Sequence, residues 1–146
     1  MLDYSAAPDL LKDRIILVTG AGDGIGAAAA RALAAHGATV ILLGRTIRKL
    51  EEVYDSIESA GHPQPAIYPM NLEGAAYKDH EDLADTVKQE FGRLDGILHN
   101  AAFLGSLPPL ELYSLELWPK VLQTNLNAPY MLTRACLPLL RESDSA

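Results

Sequence analysis

Apolar positions along the chain alternate between two rhythms. Short unbroken apolar runs, rich in β-branched residues, occur at 14–19 ("RIILVT") and 39–43. Shorter ones follow at 66–70 and 94–99. Such runs predict strands buried on both faces. Between them lie segments with helical spacing. Residues 24–36 form an alanine-rich helix stopped by Gly37, and 46–60 place Leu50, Val53, Tyr54 and Ile57 on one face before Gly61. A charged helix over 77–91 ends at Gly92, and its Glu81–Asp85 run reads as a solvated face. After a loop holding Gly105, Pro108 and Pro109, one long helix is expected over 115–141, with Ser114 as its N-cap. Residues 1–10 read as a loose lead-in.

Strands that alternate with helices imply right-handed βαβ units and a parallel sheet covered on both faces. The expected class is α/β: a Rossmann-like, doubly wound sheet in the order 3-2-1-4, its four strands being the first of a larger sheet. In such sheets ligands bind at the carboxyl ends of the strands, at the switch point between the first and fourth. The first strand-to-helix turn is "TGAGDGIG", with glycines at 20, 22, 24 and 26. A tight turn needs one glycine, not four. Backbone amides at a helix N-terminus form an anion site, which side chains would obstruct. The glycines therefore point to a nucleotide pyrophosphate.

Length fits one domain of 146 residues, and 49% hydrophobic residues allow a real core. The net charge of −7 disfavours nucleic acid and anionic lipid as partners, so any bound anion must be held by local donors. Cys136 is the single cysteine, which excludes an internal disulfide and a thiolate metal cage; a small buried side chain is the expectation. His36, His62, His80 and His99 show no ligand spacing and read as surface or packing residues, His99 being a weaker candidate for lining the cleft. Trp118, Leu122 and Leu126 read as core or subunit interface. With no signal-like or membrane-length apolar stretch, the expected location is the cytoplasm.

The glycine spacing, Thr19-Gly20-x-x-x-Gly24-Ile25-Gly26, resembles the cofactor turn of the short-chain dehydrogenase/reductase family. Asn71-Leu72 is similar to the family's pair after strand 3. "HNAA" (99–102) is similar to its Asn-Asn-Ala-Gly motif, and "WPKVLQTNL" to the helix segment that carries a catalytic asparagine. The likeness runs from about Leu11 onward and is greatest to bacterial oxidoreductases of the YciK type. It implies that Gly20, Gly24 and Gly26 make the pyrophosphate turn, together with Gly22 and Asp23, and that Ile25 lies near the nicotinamide side. It implies that Asn71 and Leu72 flank the adenine and that Asn100 and Ala101 run beside its ribose. Asn125 would help to hold a relay water. Two positions depart from the pattern. Asn71 replaces the usual Asp, and Ala102 replaces the usual Gly and adds a methyl beside the cofactor path.

An NAD site commonly has an acid about 20 residues past the glycines for the ribose 2′-OH, whereas an arginine there suits a 2′-phosphate. Here no acid occurs between Thr39 and Lys49, while Arg45, Thr46, Arg48 and Lys49 cluster. NADP is therefore expected over NAD. The family's Ser and Tyr-x-x-x-Lys are expected beyond Ala146, so residues 1–146 read as one dinucleotide-binding domain truncated before them. None of Tyr4, Tyr54, Tyr68, Tyr77, Tyr113 and Tyr130 has Lys four residues on, and the only nearby serines are Ser143 and Ser145. The expectation is an NADP-dependent oxidoreductase of small carbonyl or alcohol substrates, represented by its cofactor-binding half and inactive alone. A binding module without chemistry is the alternative; a methyltransferase is disfavoured by Gly44-Arg45. The 115–141 helix, apolar on more than one face, suggests a homodimer or homotetramer. Pro129 has no N–H for the Asn125 carbonyl, so an irregular helix is expected at Asn125.

Overall fold

The computed structural model describes residues 5–146; part of the expected lead-in, residues 1–4, lies outside the described residues. Residues 8–13 form turns, and the Leu11 amide donates to the His36 carbonyl at 2.9 Å. The strands are β1 (Ile15–Thr19), β2 (Thr39–Gly44), β3 (Ala66–Pro69) and β4 (Gly96–Leu98). They form one parallel sheet in the order β3-β2-β1-β4, as expected. The helices are α1 (Gly24–Ala35), α2 (Ile47–Ser59), α3 (Tyr77–Phe91), α4 (Leu117–Leu122) and α5 (Ala128–Arg141).

Successive strand side chains point to opposite faces, and both faces are buried. Val18, Val40 and Leu42 pack against the α1 alanines 27, 30 and 34 and against Leu50, Val53 and Ile57 of α2. Leu17, Ile41 and Leu43 pack on the other face with Leu83 and Val87 of α3 and Leu132, Cys136 and Leu139 of α5. Small residues on α1 let it lie close to the sheet. Cys136 is fully buried, and burial pushes its thiol up to about 11, so it stays protonated near neutrality.

One element differs from expectation. The single helix over 115–141 is three pieces: α4, a π-helical segment (Gln123–Asn127) and α5. The irregularity falls at Asn125, as the proline predicts. The Ala128 amide bonds five residues back to the Gln123 carbonyl, and Pro129 lies at the start of α5 with no amide to offer. Ser114 does act near the start, accepting from the Leu117 amide at 3.3 Å through its hydroxyl. Trp118 and Leu126, read as core or interface, are 53% and 61% exposed, so they are not core; the second apolar side of this helical run faces outward.

At the amino ends of the strands a buried carboxylate ties three elements together. The Asp95 side chain is 1% exposed. It accepts from the Ile15 amide at 2.8 Å, from Arg14 and Arg93 at 3.2 Å, and from the Ser143 hydroxyl at 2.5 Å. Burial alone would push this carboxyl up. The bonds from Ser143, Ile15, Arg93 and Arg14 outweigh it and hold the pKa below the usual carboxylate value. A buried charge is tolerable when paired and fully hydrogen-bonded.

His80, on α3, is fully buried, and neither ring nitrogen has a partner among the described residues. Burial pushes its pKa down, against a pull from Asp79, so the neutral ring is the native form. The unfolded chain takes up this proton near pH 6.5, the folded chain only at lower pH. Stability is therefore lost as pH falls below that value. Replacing His80 by Leu should remove this loss. Denaturant unfolding at about pH 7.5 and about pH 5.5 checks it: the variant's stability relative to the parent should rise at the lower pH, and a difference independent of pH contradicts the assignment.

Candidate functional site

The carboxyl ends of the four strands open onto a cleft of about 460 Å³. Its floor is set by the way α1 meets β1. A Cβ on Gly26 would lie 2.2 Å from the Gly20 carbonyl oxygen and 2.5 Å from Asn100 Nδ2, so only glycine allows this approach. Gly20 has φ +67 and Gly24 φ +51, conformations that favour glycine. Beyond its chain neighbours and its own helix backbone, nothing lies within 4 Å of where a Gly24 Cβ would stand. The turn is thus open at Gly24, whose own amide is taken by Asp23 Oδ1 at 2.7 Å, while Gly20, Gly22, Asp23 and Ile25 face the cleft.

A hydroxyl ties β1 to the end of β4. Thr19 Oγ accepts from the Asn100 and Ala101 amides, each at 3.0 Å, and donates to the Leu98 carbonyl at 3.4 Å. Asn100 Nδ2 donates back to the Thr19 carbonyl at 3.0 Å and the Gly20 carbonyl at 3.4 Å. Asn100 therefore braces the central strand and fixes the glycine turn through its carbonyls.

Among the expected residues, Gly20, Gly22, Asp23 and Ile25 line one wall of the cleft. Arg45 and Thr46 line the end of β2, and Asn71 and Leu72 the end of β3. Asn100, Ala101 and Ala102 complete it from β4. Gly24 and Gly26 do not line it: Gly26 lies beneath the turn, where its role is close packing. Asn125 also lies outside the lining, though its neighbour Thr124 is in it. The Asn125 side chain instead forms a two-way bridge to Phe103, accepting from its amide at 2.8 Å and donating to its carbonyl at 2.9 Å. It thereby ties the loop after β4 to the π segment.

Three candidates are displaced from the site. His99 is not in the cleft; its Nε2 lies 2.9 Å from Thr133 Oγ on α5. Its side chain is exposed, and partial desolvation by the surrounding protein lowers its pKa. Ser143 and Ser145 bond to Asp95 and Arg14, at the opposite ends of the strands from the cleft. Among the described residues, no tyrosine lines the cleft. Sequence reasoning missed Leu43, Met70, Glu73, Phe103 and Thr124 as lining residues. Apolar residues and a loop acid carry no signal of that role without the fold. Thr19 was legible as part of the turn motif, but its part as a hub for two amides was not.

The electrostatics are local. Arg48 pairs with Glu52 at 3.2 Å along the helix and Lys49 with Asp23 at 2.5 Å. Arg45 has no ion pair among the described residues. It is exposed at the lip where β2 ends, the one cation there not already matched. No grouping of metal-ligating side chains occurs among the described residues, and no helix there is long and apolar enough to cross a membrane.

The Thr19 hub generates a prediction. Thr19→Val deletes the oxygen, leaves the Ala101 amide unpaired and weakens the bond at Asn100, at a cost of about 1–3 kcal/mol. Thr19→Ser keeps the oxygen and should cost less. Denaturant unfolding of both variants checks this; equal losses would contradict the hub.

The comparisons with known proteins agree with this geometry. A family model described as short chain dehydrogenase matches residues 14–146. The uncharacterized oxidoreductase YciK of Escherichia coli strain K12 is 45% identical over 144 residues, covering 99% of this chain and 57% of its own length. A structure from Pseudomonas syringae, assigned provisionally as a short chain dehydrogenase, superposes with a TM-score of 0.96 at 59% identity, over 100% of this chain and 60% of that one. A provisionally assigned short chain dehydrogenase from Shigella flexneri, solved in complex with NADP, has a TM-score of 0.92 at 46% identity, over 94% of this chain and 58% of that one. The chain thus spans little more than half the length of these relatives, and over that span it belongs to the short-chain dehydrogenase family.

Proposed function

We propose that these residues form the nucleotide-binding half of an NADP-dependent oxidoreductase that acts on a small carbonyl or alcohol. The observation that carries the reading is the pairing of an open glycine turn with an unmatched arginine at the end of β2. The amides at the start of α1 would take the pyrophosphate, with the helix dipole behind them. Arg45 would form a bidentate contact with a 2′-phosphate, and Thr46 would add a hydroxyl. Asn71 would accept from the adenine amino group through its amide oxygen, beside Leu72. Ile25 and Ala102 would bound the path toward the nicotinamide. The related structure holding NADP supports this choice of cofactor.

When bound, the dinucleotide supplies or accepts the hydride. The chain's own residues would bind and orient it. The Asn125 carbonyl, which Pro129 cannot satisfy, would hold a water in a proton relay. The alkoxide produced by hydride delivery must be protonated, and a general acid within reach is worth about 10²–10⁴-fold in rate. Because no tyrosine among the described residues lines this cleft, the reading assigns that acid to a Tyr-x-x-x-Lys segment outside these residues. The outward apolar side of α4 and α5, with Trp118, Leu126 and Tyr130 exposed, would meet a second copy in a homodimer or homotetramer.

Two expected outcomes test the reading. NADPH should bind the full-length protein more tightly than NADH in calorimetric titration, and Arg45→Asp should remove most of that difference while leaving NADH binding nearly intact. Equal affinities in the parent would overturn it. Residues 1–146 alone should show no NADPH oxidation with small ketones and diketones, whereas the full-length protein should turn over. Comparable turnover by both would place the acid within these residues and contradict the assignment.

A further inference from the structure

A second charged pair lies in the same cleft, at the junction of the glycine turn with α2. Asp23 Oδ1 caps α1 by accepting from the Gly24 amide at 2.7 Å, and Oδ2 meets Lys49 Nζ at 2.5 Å. The glycine turn and α2 are close here: a Cβ on Gly22 would stand 3.0 Å from Lys49 Cβ. The pair is exposed, with side chains 73% and 51% accessible, so it contributes little to stability. The cap does not need its charge, because Asn and Ser cap as well as Asp. Yet the carboxylate stands where the reading above brings in a pyrophosphate and a 2′-phosphate, and it repels both.

Arg45 and Lys49 carry two positive charges into this part of the cleft, and Asp23 cancels one of them. A phosphate monoester carries about −1.5 to −2 near neutral pH. The protein therefore offers it less positive charge than its lysine and arginine could supply. Resting on the reading of the cleft as a dinucleotide site, we propose that the Asp23–Lys49 pair sets the degree of NADP preference: Asp23 occupies Lys49, and its removal frees a second cation for the 2′-phosphate. Asp23 is thus a specificity-determining residue that lowers the selectivity Arg45 establishes. Both cofactors carry the pyrophosphate, so relief of repulsion there raises both affinities alike. The part that passes through Lys49 is felt only by the cofactor with the extra phosphate.

A double-mutant cycle isolates that part. NADPH and NADH are titrated by calorimetry into the full-length protein and into Asp23→Asn, Lys49→Met and the double variant, with Asp23→Ser as a second capping replacement. Asp23→Asn and Asp23→Ser should each raise the NADPH-to-NADH affinity ratio by about threefold to tenfold, the size expected for one exposed charge beside another. In the Lys49→Met background the same replacement should change both affinities by one common factor. An unchanged or lower ratio in both capping variants, or a raised ratio that persists without Lys49, overturns the proposal. A parent that binds the two cofactors equally overturns the underlying reading and the proposal with it. A parent that prefers NADPH while the cycle shows no coupling overturns the proposal alone.

Discussion

The contact on which the rest depends is the approach of α1 to the end of β1. Gly26 brings the helix so near the Gly20 carbonyl that no Cβ fits between them. That closeness aims the helix axis at the turn, whose first amide is capped by Asp23. The Asn100 amide then bonds the same turn from β4, and Thr19 ties β4 to β1 from below. An added methyl at position 26 would push α1 outward and unseat the Asn100 side chain together. The cleft is thus a product of backbone proximity, with side chains refining it.

The two ends of the sheet divide the work. At the amino ends a buried carboxylate is paired, hydrogen-bonded on all sides and closed to solvent, and it joins β1, β4 and the end of α5. At the carboxyl ends the charges are exposed and incompletely matched. Burial with full pairing rigidifies; exposure with an unmatched arginine leaves a charge ready for a ligand. A chain with a net charge of −7 cannot attract an anion by its overall field, so the donors must be concentrated. In the proposed reading, backbone amides at α1 and the guanidinium of Arg45 would supply those donors.

The strands, their order and the first three helices were legible because their apolar runs are unbroken and glycines mark the stops at 37, 61 and 92. Most of the site was legible too, since turn chemistry and the residues after parallel strands fall at set places in a doubly wound sheet. The split of the 115–141 helix was legible only at its cause. Pro129 announces a missing bond, but whether the chain answers with a kink or a π turn depends on packing. The Asn125 bridge to Phe103 pairs residues far apart in sequence, and neither carries a pattern that would announce it. His99 misleads for a simple reason: it ends a strand beside the cleft, and a one-residue step along a strand turns the side chain to the opposite face.

The central claim is that a 2′-phosphorylated dinucleotide lies across the turn with its pyrophosphate at α1 and its phosphate at Arg45. A crystal structure of the full-length protein with NADP tests this most directly. The account predicts pyrophosphate oxygens within hydrogen-bond distance of amides in the 22–26 turn and the 2′-phosphate on the Arg45 guanidinium. A nucleotide bound with its 2′-phosphate turned to solvent, or with its pyrophosphate away from α1, would contradict it.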